Sequence, residues 1–171
     1  MVRIATRDDV PGIARVHVES WHGVYPGLIP DDVIDRLTVE RRTAQWTAFF
    51  DRRAIDEALF VAEHDGAIVG MASLGPCRDD DASTETGEIR AIYVAPDHWG
   101  HGHGRELMGA AMDWLATHGF TVATLWVLDT NRLARRFYEL AGWSTDGGRK
   151  VEDIYGADVP EVRYRVALES V

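Results

Sequence analysis

The first third of the chain shows one short apolar run followed by two regions of helical spacing. Residues 2–5 are apolar enough to predict a strand. Residues 6–9 run from a threonine to an aspartate, which resembles a capping box, and apolar positions recur at near-helical spacing through residues 13–24. The prolines and glycine of residues 26–30 break that helix. A second helical region, in two pieces, is predicted over residues 33–53.

The middle of the chain predicts a hairpin followed by a further strand. Residues 59–63 and 67–74 are strand-like. Asp65-Gly66 between them suits a tight two-residue turn, because both positions need positive φ. Residues 87–94 predict the next strand, which Pro96 ends.

The last third of the chain alternates helices with strands. A helical apolar stripe predicts a helix over residues 104–118, and a β-branched apolar run predicts a buried strand over residues 121–128. A helix over residues 132–141 follows, then a strand from Trp143 onward and a closing strand over residues 161–168. The residues of the last helix that are expected to face inward are Leu133, Phe137, Leu140 and Ala141.

This element order, β-α-α-β-β-β-α-β-α-β-β, mixes helices with adjacent strands. It predicts a fold of the α+β class, or of mixed α/β character, with a sheet covered by helices. The length of 171 residues is that of one domain, so a single domain over residues 1–171 is expected.

The composition is that of an ordinary globular protein, and the charge narrows the choice of partners. Eighteen basic residues against 28 acidic ones give a formal charge of −10, which disfavours nucleic acid and anionic membranes and modestly attracts cationic small molecules. No apolar run approaches the ~20 residues of a membrane helix, and the N-terminus lacks a signal-peptide pattern. A cytoplasmic location is therefore expected. The single cysteine, Cys77, excludes an internal disulfide framework and is interpreted as incidental.

The segment with the clearest chemistry is EIRAIYVAPDHWGHGHGRELM, residues 88–108. A predicted strand enters a glycine-rich loop that opens directly into a helix. Gly100, Gly102 and Gly104 allow a ligand to approach the backbone closely, and the helix start presents free N–H groups. Together these make an anion site suited to a pyrophosphate, with Arg105 adding a positive charge at its mouth. The spacing fits neither the dinucleotide fingerprint nor the phosphate loop of nucleotide-binding proteins.

Three histidines, His98, His101 and His103, crowd the same loop. A metal site is one interpretation. No carboxylate pair completes a ligand set, however, and a loop that cradles a pyrophosphate directs its side chains differently. The prediction is therefore ordinary loop histidines and no metal.

The glycine loop resembles the coenzyme A loop, [QR]-x-x-G-x-[GA], of the GCN5-related N-acetyltransferase superfamily. Trp99, Gly102 and Gly104 stand at its three fixed positions, and Trp99 departs from the usual Gln or Arg. Two further patterns of that family match. The preceding strand carries its aliphatic-x-Val-x-Pro pattern at Ile92, Val94 and Pro96. A later Asn and helix match at Asn131, Ala134, Phe137, Tyr138, Gly142 and Trp143. The resemblance spans nearly the whole chain.

The resemblance implies a twisted, mostly antiparallel sheet of about seven strands flanked by about four helices. Coenzyme A would bind at a splay between two central strands. The implied activity is transfer of an acetyl group from acetyl-CoA to a primary amine, by direct attack in a ternary complex. The acceptor is a small-molecule or peptide amine, and a homodimer is possible. The residues implied in cofactor binding are Ile92, Tyr93, Val94, Trp99, Gly100, His101, Gly102, His103, Gly104, Arg105, Asn131 and Tyr138.

The resemblance also implies catalytic and acceptor-binding residues. Tyr138 is the candidate proton donor to the departing thiolate. Glu88 is the candidate general base, although a salt-bridge role is equally open; Asp129 or a water chain are alternatives, and Trp126 stands at a second position where the family often has Glu. The residues expected to wall the acceptor pocket are Trp21, His22 and Tyr25. Two other functions stay open: a non-catalytic acyl-CoA sensor of the same fold, and a nucleotide-binding module.

Overall fold

The computed structural model describes residues 1–169 and consists of one sheet with helices on both faces. The strands are β1 (Val2–Ile4), β2 (Ala58–His64), β3 (Ala67–Pro76), β4 (Thr86–Val94), β5 (Val122–Leu128), β6 (Ser144–Ile154) and β7 (Ala157–Ala167). The helices are α1 (Val10–Val24), α2 (Asp31–Ile34), α3 (Val39–Arg52), α4 (His103–Thr117) and α5 (Arg132–Leu140). Short 3-10 turns cover Arg7–Asp9 and Pro96–His98. The predicted element order is confirmed, and the second helical region is indeed two helices.

The sheet order is β1-β2-β3-β4-β5-β7-β6, and every pair is antiparallel except β4–β5. The mixed, mostly antiparallel sheet is therefore as expected. The Asp65-Gly66 turn has φ values of 48° and 76°, which confirms the hairpin predicted from these two residues.

Two apolar layers cover the sheet, and a third cluster lies at one end. Helix α4 packs on one face through Leu107, Ala111 and Leu115. Helices α1 and α3 cover the opposite face, where Ile13 and Trp46 are buried. The third cluster joins the end of α1 and α2 to the ends of β5 and β7; its buried members are Trp21, Ile29, Val33, Ile34, Leu37, Leu128 and Val159.

The C-terminal hairpin is longer than the sequence predicts. Strand β7 begins at Ala157 instead of residue 161, and β6 runs through residues 144–154 despite two glycines and several acidic residues. The turn is Tyr155-Gly156, with φ values of 52° and 87°. A tyrosine at positive φ is uncommon, so this turn carries no sequence signal.

Helix α5 departs from the predicted burial. Leu133 and Leu140 are 61% and 70% exposed, and Ala141 is exposed as well. The prediction that these residues face the core is wrong. They line a cleft beside the sheet, because the two strands below α5 separate there.

Candidate active site

The cleft lies where β4 and β5 separate. The two strands pair only at their first residues, Thr86–Glu88 with residues 122–124. Beyond this point β4 pairs only with β3, and β5 pairs only with β7. The result is a V-shaped opening in the middle of the sheet, and the cleft that fills it has a volume of about 830 Å³.

The register of β4 leaves backbone groups facing this opening. Ala95 N–H donates to Val69 carbonyl at 2.9 Å, so this opposite pair is a hydrogen-bonded one. Because hydrogen-bonded and non-hydrogen-bonded pairs alternate along an antiparallel ladder, the N–H and C=O groups of Val94 and Ile92 point away from β3. They point toward the cleft. Tyr93 pairs with β3 through its backbone, and only its side chain lies in the cleft lining.

Trp99 caps the end of β4. Its indole N–H donates to the Val94 carbonyl at 2.7 Å, and the Ser20 hydroxyl donates to the same oxygen at 3.1 Å. The Val94 N–H is not part of these bonds. A tryptophan thus serves this strand end through its ring nitrogen, at the position where the sequence pattern leads one to expect Gln or Arg.

The glycine loop and the start of α4 form one end of the cleft. Gly100 and Gly102 have φ values of 78° and 89°, which a residue with a Cβ adopts only under strain. The first helical bond of α4 runs from Glu106 N–H to Gly102 carbonyl at 3.0 Å. The N–H groups of residues 103–105 therefore have no partner within the helix and lie at the positive end of its dipole. Arg105, exposed, lines the same end.

Four imidazoles gather beside this loop. The ring of His103 lies 5.4 Å from that of His64, 6.1 Å from that of His98 and 6.4 Å from that of His101, between centroids. His103 is buried, and neither of its ring nitrogens has a partner among the described residues. Burial, followed by the charge of His64, lowers its pKa. His98 and His103 line the cleft, whereas His101 is exposed outside it.

No metal cluster is found in the described part of the chain, where no three His, Cys, Asp or Glu residues are arranged to hold an ion.

Helix α5 forms the wall opposite α4. Asn131 caps this helix, since its side-chain oxygen accepts from the Ala134 N–H at 3.1 Å. Tyr138 is 7% exposed and packs between the rings of Phe137 and Tyr164, at 5.5 and 5.9 Å. Burial raises the pKa of the Tyr138 phenol above its ordinary range. Asn131 and Tyr138 both line the cleft, as their shared helical face predicts.

The carboxylate of Glu88 is held in an ion pair. It is 4% exposed, and both of its oxygens accept hydrogen bonds from the Arg78 guanidinium at 2.9 Å. The Arg90 side chain lies 3.9 Å away on the other side. Glu88 is not among the residues that line the cleft. The geometry supports the salt-bridge interpretation of this residue.

Asp129, the alternative base, is also engaged elsewhere. Its carboxylate accepts from Arg135 at 2.7 Å and from Arg149 at 3.3 Å, and it does not line the cleft. Residues 79–81, a run of three aspartates, are likewise held by an arginine, because Arg163 binds both Asp79 and Asp81.

Two of the three residues predicted to wall the acceptor pocket line the cleft. Trp21 and Tyr25 line the cleft with their ring centroids 4.5 Å apart. His22, the third of these residues, is exposed and does not line the cleft. Burial, followed by neighbouring Tyr93, Tyr138 and Glu161, raises the pKa of Tyr25 well above its usual value.

Glu161 is a cleft residue that the sequence analysis missed. It lines the cleft from β7, opposite Leu128 of β5. A signal existed: Val162 and Tyr164 are the inward residues of a period-two strand, which places Glu161 on the opposite face. That face becomes significant only when the cleft is known to open there.

Comparison with known proteins shows which family the chain belongs to. Residues 21–143 match the model of the acetyltransferase (GNAT) family. The chain belongs to the GNAT family of acetyltransferases. An uncharacterised N-acetyltransferase from Bacillus subtilis, YuaI, is 30% identical over 153 residues, which are 82% of this chain and 86% of that protein. An uncharacterised N-acetyltransferase from Archaeoglobus fulgidus is 33% identical over 80% of this chain and 88% of its own length.

Solved structures show the same GNAT fold at lower identity. A ribosomal-protein-alanine N-acetyltransferase from Brucella melitensis has a TM-score of 0.75 at 24% identity, covering 98% of this chain and 99% of that one. The acetyltransferase yncA from Salmonella typhimurium, solved with acetyl-CoA, has a TM-score of 0.72 at 22% identity, covering 100% and 95%. These likenesses confirm the predicted GNAT fold class.

Among residues 1–169, no helix is long and apolar enough to cross a membrane.

Proposed function

We propose that residues 1–171 form one N-acetyltransferase domain, which transfers the acetyl group of acetyl-CoA directly to a primary amine. The observation that carries the proposal is the opening between β4 and β5. There the backbone groups of Ile92 and Val94 face a cleft that ends at the free N–H groups of α4. This combination offers an extended arm a strand to pair with and an anion a helix start to bind.

The cofactor is proposed to lie along this opening with its pyrophosphate at residues 100–105. The pantetheine arm then pairs with the backbone of Ile92 and Val94, as an added strand would. The Val94 N–H faces the thioester carbonyl, where negative charge develops in the transition state. Phe137 and Leu133 of α5 supply the apolar wall of the arm.

Tyr138 is proposed to serve the leaving group. Its pKa is raised by burial, so the phenol keeps its proton throughout the neutral range and donates a hydrogen bond to the departing sulfur. A thiolate resembling that of cysteine has a pKa of ~8.5, so complete proton transfer from the phenol is uphill. The hydrogen bond itself stabilises the charge that forms on sulfur.

The acceptor amine requires a group that removes its proton. A lysine-like amine has a pKa of ~10.4, so only ~0.04% of it is neutral at pH 7, a cost of ~4.6 kcal/mol. A base within the cleft lowers that cost. The negative charge of the whole chain favours an acceptor that arrives as a cation.

Calorimetric titration with acetyl-CoA, followed by release of free thiol in the presence of a broad amine library, tests this function. We expect saturable binding and amine-dependent release. Tight binding with no transfer to any amine would favour the alternative of an acyl-CoA sensor. Binding of ATP or NAD in place of coenzyme A would contradict the proposal.

A further inference from the structure

Glu161 lies in the part of the cleft near Tyr25 and Trp21, which we call the acceptor half. It lies on β7 opposite Leu128 of β5 and opposite Lys150 of β6. Because side chains alternate along a strand, Glu161 shares its sheet face with Val159, one alternate position before it. That face is the one on which the end of α1 packs, through Trp21.

The lining of the acceptor half is mostly apolar and aromatic. The cleft residues of this half that belong to or pack against the third apolar cluster are Trp21, Tyr25, Ile29, Tyr93, Leu128, Ile154 and Val159. The side chain of Glu161 is only 17% exposed. Burial, the largest effect, raises the pKa of its carboxyl group, against the lowering effect of Lys150. A carboxyl group with a raised pKa is a stronger base than an ordinary one, which suits it to proton abstraction.

Charge in the cleft is distributed unevenly. Among the cleft-lining residues of the described chain, Glu161 is the only acid. The two lining arginines are committed elsewhere: Arg90 is ion-paired with Glu57, and Arg105 lies at the glycine-loop end. The acceptor half therefore offers one carboxylate and no cleft-lining cation free to receive a carboxylate of the substrate.

The Glu161 carboxylate already binds one ammonium group, that of Lys150. Its ammonium lies 3.4 Å from the Glu161 carboxylate and 4.6 Å from the centroid of the Trp126 ring. An ammonium is thus already held between this acid and an aromatic face, an arrangement that suits cations in general. It is the only lysine in the chain.

We propose that Glu161 is the general base of the acceptor site, and that the acceptor is a primary amine carried on an apolar or aromatic body with no carboxylate beside the nitrogen. This inference rests on the proposed function. It assigns the base to β7, in place of the Glu88 expected from the sequence.

The reaction balances as follows. The ammonium of the acceptor gives one proton to Glu161, and the lone pair freed on nitrogen forms the C–N bond to the thioester carbonyl carbon. The C–S bond breaks and its electron pair goes to sulfur. The Tyr138 hydroxyl stabilises the departing thiolate by a hydrogen bond, and the thiolate is then protonated from water. The second proton leaves the nitrogen to water as the amide forms. Glu161 then releases its proton to water.

The pH dependence of this step involves the charged groups that face Glu161. Lys150 lowers its pKa, and the carboxylates of Glu152 and Glu88 raise it. The charge of Glu161 in turn raises the pKa of the Tyr25 and Tyr93 phenols. Both phenols stay neutral in the working range because burial, the largest effect on each, raises their pKa.

The substrate class is tested with a matched pair of acceptors, phenethylamine and phenylalanine, which differ by one carboxylate beside the amine. We expect wild-type kcat/KM to be at least 100-fold higher for phenethylamine. Equal or better use of phenylalanine would overturn the assignment of substrate class.

The base is tested with Glu161→Gln against Glu152→Gln, which removes the other carboxylate partner of Lys150 and does not line the cleft. We expect Glu161→Gln to lower kcat/KM about 10²- to 10⁴-fold near pH 7, with acetyl-CoA affinity unchanged. The deficit should shrink as the pH approaches the pKa of the amine, where neutral acceptor is abundant. Glu152→Gln should keep kcat/KM near that of the wild type at pH 7 and move the acidic limb of the profile to lower pH, because Glu152 raises the pKa of Glu161.

Three outcomes separate this inference from the function beneath it. A Glu161→Gln variant with the wild-type rate and profile refutes the role of Glu161 while leaving the acetyltransferase intact. The same deficit in Glu88→Gln, with none in Glu161→Gln, returns the base to β4. A wild-type protein that acetylates no amine at all refutes the proposed function itself.

Discussion

At the residue scale, the packing role of the Tyr138 ring and the catalytic role proposed for its hydroxyl can be tested separately. It is enclosed by aromatic rings, as a core residue is, and it also lines the cleft. Tyr138→Phe keeps the ring and removes only the hydroxyl. We expect kcat to fall by ~10²-fold or more with little change in acetyl-CoA affinity, because the hydrogen bond forms to charge that appears only in the transition state.

The control for Tyr138 is Tyr164→Phe. The Tyr164 hydroxyl donates to Glu139 at 2.8 Å and accepts from Arg135, and it is not part of the cleft lining. Its loss should lower the melting temperature without altering kcat. A folded Tyr138→Phe protein with wild-type kcat at every pH would remove that tyrosine from the mechanism.

His17 gives a prediction about acid stability. It is buried beneath α3, and its Nδ1 accepts the indole N–H of Trp46 at 3.2 Å, so the ring must be neutral. Burial, together with the charge of Arg42, lowers its pKa from 6.5 to about 3. Between these values the unfolded chain binds a proton that the folded chain does not, so stability falls as the pH drops from 6.5 toward 3.

The expected slope from His17 is up to ~1.4 kcal/mol of unfolding free energy per pH unit. Urea unfolding of the wild type and of His17→Gln at pH 7, 6 and 5 measures it. The variant should be less stable at pH 7 and show a shallower slope. Parallel slopes would mean that His17 does not titrate on unfolding.

At the element scale, the start of α4 and the facing α5 set the width of the cofactor site. Gly104 does not have positive φ, so its backbone accepts a larger side chain. A Cβ at Gly104 would lie 3.5 Å from the Phe137 ring, so a larger side chain there fills the space between α4 and α5. Gly104→Leu should weaken coenzyme A binding by at least tenfold, about 1.4 kcal/mol.

Gly109 of the same helix provides the matched control. It is exposed, and a Cβ there meets nothing within 4 Å. Gly109→Leu should fold and bind coenzyme A as the wild type does. Equal affinities in the two variants, measured by calorimetry, would move the pyrophosphate away from the start of α4.

Helix α5 shows where sequence periodicity stops being informative. Its apolar stripe correctly predicts a helix, but Leu133 and Leu140 line a cleft instead of a core. A helix that packs against a sheet and a helix that lines a ligand cleft both have an apolar face, so the sequence pattern does not distinguish the two. The separation of β4 from β5 is likewise a property of pairing, and each strand alone reads as an ordinary buried run.

At the scale of the whole molecule, the order of elements and the glycine loop were readable from the sequence, because turns, caps and apolar spacing are local. The side chain that we propose as the base was not. Glu88 lies at a strand position that suits a base, yet the Arg78 side chain binds its carboxylate. No pattern in the sequence indicates this pair. Glu161 reaches the cleft only because β7 inserts between β5 and β6. Contacts between residues so distant in the sequence are visible only in the tertiary fold.

The central claim is that this cleft transfers an acetyl group from acetyl-CoA to an amine. The most direct measurement follows isotope-labelled acetyl-CoA by mass spectrometry in the presence of phenethylamine and the wider amine library. We predict labelled acetyl on the amine nitrogen in amounts equal to the free thiol released, and strongly reduced yields with Tyr138→Phe. Label found only in free acetate, or acetyl-CoA left intact with every amine, would contradict the account.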